Sequence, residues 1–91
     1  MKRYKIALTR SAAKELDRLS ATTHDKIIAR LRELENEPRI HGSEKLTGIE
    51  AYKLRVGNFR IVYEIDDRER EVRIVMIDDR KQVYQRLRRK S

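Results

Sequence analysis

The sequence predicts a small α+β fold in which a two-helix hairpin packs on one face of a mainly antiparallel sheet. The expected order is β-α-α-β-β-β, followed by a short C-terminal helix or tail. Apolar and polar residues alternate in several segments, apolar residues recur at helical spacing in two segments near the N-terminus, and a Gly57-Asn58 pair separates two strand-like segments. With 91 residues, we expect one domain, residues 1–91, with one core.

The N-terminal third predicts one strand and two helices. YKIALT alternates in the manner of a strand with one buried face. Thr9 or Ser11 is expected to cap the first helix, and Thr22 or Thr23 the second, which has Asp25 in its first turn. Pro38 ends the second helix. Each helix has one apolar stripe, formed by Ala12, Leu16 and Leu19 in the first and by Ile27, Leu31 and Leu34 in the second.

Residues 39–50 predict a connecting loop, because they hold two of the three glycines and show no clean period. Leu46 and Ile49 are expected to pack beneath it. The next segment, AYKLRVGNFRIVYEI, predicts a β-hairpin with a tight turn at Gly57 and Asn58. In that register Val56 faces Phe59, Arg55 faces Arg60, Leu54 faces Ile61 and Lys53 faces Val62.

The C-terminal third predicts one more strand and a basic tail. VRIVMI has apolar side chains on both faces, which is typical of an internal strand. In DDRKQVYQRLRRKS, Val83 and Leu87 lie one helical turn apart, so this segment is expected to form a short helix that frays into solvent.

The composition indicates a polyanionic partner. The formal net charge is +8, from 23 Lys and Arg against 15 Asp and Glu, which favours nucleic acid or an acidic protein. The alternative is a basic protein whose charges are only a solvated surface. The chain has no cysteine, which excludes disulfides, thiolate nucleophiles and cysteine zinc sites. It has no apolar run of signal-peptide or membrane-spanning length, so a cytoplasmic protein is expected.

The hairpin pattern predicts an apolar face under the helices and a positively charged face on the other side. Lys53, Arg55 and Arg60 share that second face, where like charges opposite one another destabilise a sheet unless an anion binds there. Protection of an edge strand by charge is the alternative. The chain end adds further cations, namely Arg80, Lys81, Arg86, Arg88, Arg89 and Lys90.

Three stretches carry a resemblance to a known family. LTRSAAKELDRL, KLTGIEAYKLRVGNFRIVYEI and DDRKQVY resemble, in the same order, the signature stretches of the RelE/ParE toxin superfamily, and more closely its RelE branch. The likeness covers nearly the whole chain and is most specific from Leu46 to Tyr63. RelE-type toxins enter the ribosomal A site and cut messenger RNA, and each is silenced by a co-expressed antitoxin. The resemblance therefore implies an antitoxin, the ribosome and messenger RNA as partners.

The resemblance places five residues in an RNA-binding and catalytic site: Lys53, Arg55, Arg60, Arg80 and Tyr84. Cleavage by the ribose 2′-hydroxyl requires a base, an acid and positive charge at the phosphate. Lys53 is the candidate base, since nearby arginines disfavour its charged form. Arg80 is the candidate acid, or only stabilises charge. Tyr84 either stacks on a base or packs in the core beside Val83.

One departure from the family puts cleavage efficiency in question. Many members have Gly-His where this chain has Asp78-Asp79, so Asp79 either replaces the histidine as a base or pairs with Arg80. His24 and His41 lie outside the signature stretches and are expected at the surface, whereas Glu44 and Glu50 flank the loop near Lys53. No spacing suggests a metal site, and the resemblance implies cleavage without a metal or another cofactor.

Three functions remain open at the level of the sequence. The first is a ribosome-dependent endoribonuclease, for which all five site positions are filled. The second is a ParE-like inhibitor that binds DNA gyrase and has no chemical use for those residues. The third is a nucleic-acid-binding module with a decayed site. An antitoxin is expected either to cover the basic face with an acidic segment or to displace the C-terminal tail with a helix.

Overall fold

The computed structural model describes residues 3–90. Three helices and five strands alternate along the chain, in the order β-α-α-β-β-β-β-α. The predicted α+β class is therefore confirmed, with one strand more than the sequence pattern indicated. The elements are β1 (Lys5–Leu8), α1 (Arg10–Asp17), α2 (Ala21–Asn36), β2 (Ser43–Lys45), β3 (Tyr52–Val56), β4 (Phe59–Asp66), β5 (Glu71–Asp79) and α3 (Arg80–Lys90).

The five strands form one mixed sheet in the order β1-β5-β4-β3-β2. β1 pairs with β5 in parallel, and the other neighbours are antiparallel. The parallel pair is possible because α1 and α2 form the long crossover that such a connection requires. VRIVMI lies in β5 between β1 and β4, so its prediction as an internal strand is confirmed.

Capping side chains determine where each of the two N-terminal helices begins. Thr9 Oγ1 accepts a hydrogen bond from Ala12 N–H at 3.2 Å, which confirms one of the two predicted caps of α1. Ser20 Oγ accepts from Thr23 N–H at 3.3 Å and caps α2, so the predicted cap at Thr22 or Thr23 is wrong. Because the helix begins before those threonines, its first turn contains no acidic residue.

The predicted loop at residues 39–50 contains a short strand. β2 pairs with β3 through Ser43↔Leu54, Glu44↔Lys53 and Lys45↔Tyr52. Its three residues are all polar, so they show no alternation of apolar and polar side chains that would indicate a strand. Leu46 and Ile49 are partly buried, as predicted.

The β3–β4 hairpin has the predicted register. Val56 pairs with Phe59, and Arg55 pairs with Arg60. Gly57 adopts φ +58°, in the left-handed region that glycine tolerates without a steric penalty. This turn fixes which side chains of both strands face the helices and which face the opposite side.

Both faces of the sheet are covered by helix. The α1–α2 pair covers a main core that includes Leu54, Ile61 and Tyr63. On the other face α3 covers a smaller core formed by Ala51, Val62, Met76 and Val83. The C-terminal segment is thus a helix packed through Val83 and Leu87, and the expectation that it frays into solvent is wrong for residues 80–90.

Candidate functional site

A groove of about 620 Å³ lies where the β3–β4 hairpin meets the start of α3. It contains four of the five residues that the sequence predicted for the site. Two further polar residues and one further cation join them. The groove is lined by Lys53, Asn58, Arg60, Asp79, Arg80, Lys81 and Tyr84.

Arg60 is the half-buried cation of this groove. Its Nη1 donates to the carbonyl oxygens of Phe59 at 2.9 Å and Gly57 at 3.2 Å, so the hairpin turn holds the guanidinium in place. Burial lowers the pKa of Arg60, and the nearby charges of Arg55 and Arg80 lower it further. These causes indicate that three guanidinium groups concentrate positive charge at one end of the hairpin.

Lys53 lies on β3 on the same face as Arg60. Its Nζ is 3.5 Å from Oε1 of Glu44, the residue opposite it on β2. Neither Glu44 nor Glu50 lines the groove; Glu44 contacts one of its lining residues through this ion pair, whereas Glu50 pairs with Lys45. The short strand β2 places a carboxylate beside the candidate base.

Arg55 is the one predicted site residue that does not line the groove. It is exposed and lies directly opposite Arg60 in the hairpin. Its charge acts on Arg60 through space. The structure thus separates Arg55 from the four residues that the groove brings together.

Arg80 and Asp79 lie at the junction between β5 and α3. The Arg80 N–H donates to the carbonyl oxygen of Asn58 at 2.8 Å, which ties the first residue of α3 to the hairpin turn. Asp79 Oδ1 accepts from the Gln82 N–H at 2.9 Å and so caps α3. No ion pair joins Asp79 to Arg80 in residues 3–90, and this predicted alternative is therefore wrong.

Asp78 is held by a different arginine. Its Oδ2 accepts from Arg86 Nη1 at 3.1 Å, and the same Nη1 also contacts Oε2 of Glu15. Glu15 Oε1 in turn accepts from the Ile77 N–H at 2.9 Å, at the part of β5 that extends beyond β1. The arginine therefore links α3 to α1 around the open edge of the sheet.

Tyr84 projects from α3 into solvent beside the groove. Its side chain is 64% exposed, which decides against the alternative that it packs in the core. Its neighbour Val83 is buried instead. The Arg88 guanidinium lies over the Tyr84 ring, 5.6 Å from its centroid. The exposed ring is thus available to an aromatic ligand.

Sequence reasoning missed two residues of the groove. The sequence pattern indicates Lys81 only as part of the basic chain end, and Asn58 only as a turn residue. Asn58 lies at the hairpin tip, so its place in the groove depends on the contact between that tip and Arg80. His24 lies beside Asp25, His41 is exposed, and neither lines the groove.

Comparison with known proteins identifies the family. Residues 6–84 match the model of the ParE toxin of the type II toxin-antitoxin system, parDE. The chain belongs to this toxin family. No curated protein matches it. The solved structures that it matches include RelE toxins, several of them in RelBE toxin-antitoxin complexes, which confirms the resemblance to the RelE/ParE superfamily seen in the sequence.

Three of these solved structures define the similarity. The chain is 25% identical to a chain of the RelBE2 toxin-antitoxin complex of Mycobacterium tuberculosis, with a TM-score of 0.77 over 86% of this chain and 99% of that one. A double arginine mutant of Escherichia coli RelE in the free state is 26% identical, with a TM-score of 0.77 over 91% and 92%. Isolated E. coli RelE is 26% identical, with a TM-score of 0.76 over 96% and 97%.

The helices of the described residues were compared with the length and hydrophobicity that a membrane span requires. No helix within residues 3–90 is both long enough and apolar enough to cross a bilayer.

Proposed function

We propose that this toxin is an endoribonuclease that cuts messenger RNA in the ribosomal A site. The observation that supports the proposal is the groove that collects Lys53, Arg60, Arg80 and Tyr84 at the end of the hairpin. Single-stranded RNA is bound by cations along its backbone and by aromatic rings against its bases, and this groove offers both. An inhibitor that acts only by binding to another protein does not require cations and an exposed aromatic ring in one groove.

The proposed reaction is attack of a ribose 2′-oxygen on the adjacent phosphorus. Lys53 takes the 2′ proton while the new P–O bond forms and the bond to the 5′ oxygen breaks. Arg60 and Arg80 donate hydrogen bonds to the phosphate oxygens, where negative charge increases in the transition state. Arg80 also stabilises the departing 5′ oxygen, which takes a proton from solvent water. The products are a cyclic 2′,3′-phosphate and a 5′-hydroxyl.

Asp78 and Asp79 position α3 in this proposal and take no part in proton transfer. Each carboxylate already accepts hydrogen bonds that hold the helix in place, from the Asp79 and Gln82 N–H groups and from Arg86. The absence of the family histidine therefore leaves Lys53 as the base. The charge of Arg55 makes the electrostatic potential at the groove more positive, and Arg55 itself does not contact the RNA.

We also propose a cognate antitoxin that covers the groove with an acidic segment. Several of the similar RelE structures are complexes with RelB antitoxins. In this chain the groove combines four cations with an exposed tyrosine, which favours a partner that supplies carboxylates. Binding is expected to weaken as salt increases.

The proposal is tested by primer extension on a defined messenger RNA in a purified translation system. Wild-type toxin is expected to create new ends inside A-site codons. Arg60→Ala is expected to slow cleavage by about 100-fold, the effect of removing one group that stabilises a transition state. Tyr84→Ala is expected to slow it by about 10-fold, the effect of losing one base-stacking contact. Arg73→Ala is the matched control, because Arg73 is exposed and pairs with Glu64 away from the groove. Intact message with the wild type would contradict the proposal.

Inhibition of DNA gyrase is the second candidate, because the family model that matches the chain is named for ParE. A supercoiling assay with purified gyrase separates the two functions. A gyrase inhibitor should trap cleaved DNA and retain that activity in the Arg60→Ala variant, since binding to gyrase does not require phosphate chemistry in the groove.

A further inference from the structure

A second groove, of about 230 Å³, adjoins the first and shares Lys53 and Tyr84 with it. The loop between β2 and β3 forms one side, and α3 forms the other. Its lining comprises Leu46, Thr47, Ile49, Lys53, Tyr84, Leu87 and Arg88. No carboxylate is among these residues, although the chain has 15 Asp and Glu.

The loop that forms this groove is closed on itself by backbone hydrogen bonds. The Leu46 N–H donates to the Ala51 carbonyl at 2.9 Å, and the Ala51 N–H donates to the Ile49 carbonyl at 2.8 Å. Gly48 adopts φ +75°, which permits the tight reversal between Leu46 and Ile49. These hydrogen bonds hold the loop as one wall of the groove.

The chemistry of the lining fits a flat aromatic ring with polar edges. Leu46, Ile49 and Leu87 are partly buried and form an apolar floor. The Tyr84 ring can stack on the ligand, and the exposed Thr47 can present its hydroxyl to the ligand's edge. A nucleobase combines such a face and edge, whereas a phosphate would gain nothing from the apolar floor.

We propose that this second groove is a nucleobase subsite for the nucleotide next to the cleaved phosphodiester. Lys53 and Tyr84 border both grooves, so an RNA strand whose phosphate lies on Arg60 places its neighbouring base against the β2–β3 loop. The Thr47 hydroxyl hydrogen-bonds the edge of that base and sets which base is preferred there. This inference rests on the proposed function and adds a specificity-determining residue to it.

The first arm of the test measures where a base lies, independently of cleavage. A hexaribonucleotide carries 4-thiouridine at each position in turn, and a 2′-O-methyl group replaces the attacking hydroxyl. On irradiation, we expect one position to crosslink to Leu46, Thr47 or Ile49, as mapped by peptide mass spectrometry. Thr47→Leu, which fills the mouth of the groove, should reduce this crosslink several-fold. Thr22→Leu, at an exposed position on α2, is the matched control.

The second arm measures base preference in the ribosome-dependent reaction. Thr47→Val removes the hydroxyl at nearly constant volume and is expected to change the ratio of cleavage between codons about three- to tenfold, the effect of one hydrogen bond. Thr22→Val, at an exposed position on α2, should leave the ratio unchanged. Thermal unfolding of each variant verifies that it is folded.

The outcomes separate this inference from the proposed function. Crosslinks confined to other parts of the protein, or codon ratios that Thr47→Val does not change, would overturn the subsite even if wild-type toxin cleaves. A crosslink to the loop without any cleavage on ribosomes would support the subsite and contradict the nuclease. Failure of the RNA to crosslink anywhere would overturn the subsite.

Discussion

At the scale of single residues, the structure explains how two arginines can lie opposite one another in the hairpin. Arg60 turns its guanidinium back onto the Gly57 and Phe59 carbonyl oxygens, whereas Arg55 extends into solvent. Two neutral acceptors thus hold a cation whose pKa is lowered by burial and by Arg55 and Arg80. Such a group gains stability when an anion binds, so the repulsion favours ligand binding.

Glu44 is expected to oppose RNA binding, because its carboxylate lies 3.5 Å from Lys53 Nζ. Glu44→Gln should increase the affinity for single-stranded RNA about two- to fivefold, as for the loss of an exposed ion pair. Fluorescence anisotropy at low salt measures the change. Glu50→Gln is the control, because Glu50 pairs with Lys45 outside the groove. An equal gain in both variants would indicate that only net charge matters.

Asp79 is expected to act as a helix cap and not as a base. Asp79→Asn keeps an acceptor for the Gln82 N–H, so its free energy of unfolding should stay within about 0.5 kcal/mol of the wild type. Asp79→Ala should lose about 1 kcal/mol. Urea denaturation measures both. Cleavage by Asp79→Asn should persist, and a loss of about 100-fold or more would identify Asp79 as a base.

At the scale of the secondary-structure elements, α3 determines the shape of the site. It supplies one wall of each groove and covers the smaller core through Val83. Its start is tied to the hairpin by Arg80, and its middle is tied to the sheet and α1 by Arg86. A basic segment that would be a poor helix by itself is thus held in register by tertiary contacts.

Arg86 is expected to stabilise α3 through its two carboxylate partners. Arg86→Ala leaves Glu15 and Asp78 partly buried without their cation. We expect a loss of about 1–2 kcal/mol in the free energy of unfolding, since the pair is only partly screened by solvent. Hydrogen exchange should show faster opening of α3 than of β4. Arg89→Ala, exposed on the same helix, serves as the control; equal loss there would contradict the expected role.

At the scale of the whole molecule, charge is distributed unevenly over the sheet. Cations lie at the tip of the β3–β4 hairpin, whereas carboxylates lie at the C-terminal end of β4 and the N-terminal end of β5. Such a separation of charge orients a protein in the electric field of a polyanion. The acidic region consists of Glu50, Glu64, Asp66, Asp67 and Glu71, with Arg73 among them.

Asp67 joins distant parts of the chain at that acidic end. It accepts hydrogen bonds from both Nη groups of Arg39, at 3.2 and 2.8 Å, and from the Tyr4 hydroxyl at 2.7 Å. Arg39 first, and then Tyr4, lower the pKa of Asp67 from 3.8 to about 2. Because the folded pKa is below the unfolded one, this stabilisation is present above about pH 4 and is lost as the pH falls towards 2.

Because the pKa of Asp67 is lowered in the folded protein, the effect of Asp67→Asn on stability should depend on pH. The variant should be less stable than the wild type at neutral pH, and the difference in melting temperature should shrink between about pH 4 and pH 2. Thermal unfolding followed by circular dichroism across this range measures it. Asp17→Asn, which changes an exposed carboxylate at the end of α1, is the control. A difference that stays constant as the pH falls would contradict the role of the ion pair.

Much of the fold was predictable because the relevant information is local. The register of the hairpin follows from the period of two and from the glycine turn, and both are confirmed. The predicted stripes of the first two helices are likewise confirmed as core, except that Leu19 follows the end of α1 at Asp17 and is only partly buried. The short strand β2 was missed because three polar residues have no period to detect, and their strand conformation depends on pairing with β3.

The sequence by itself determined every element except β2, and one charged face, since alternation and helical spacing dictate which side chains share a surface. Only the tertiary structure decided that α3 packs on that face, that Arg55 lies outside the groove, and that Asp78 and Asp79 hold the helix. These outcomes depend on contacts between distant residues, such as that between Arg86 and Glu15, which are 71 positions apart. No local pattern encodes such a contact, because it exists only when the sheet and helices have assembled.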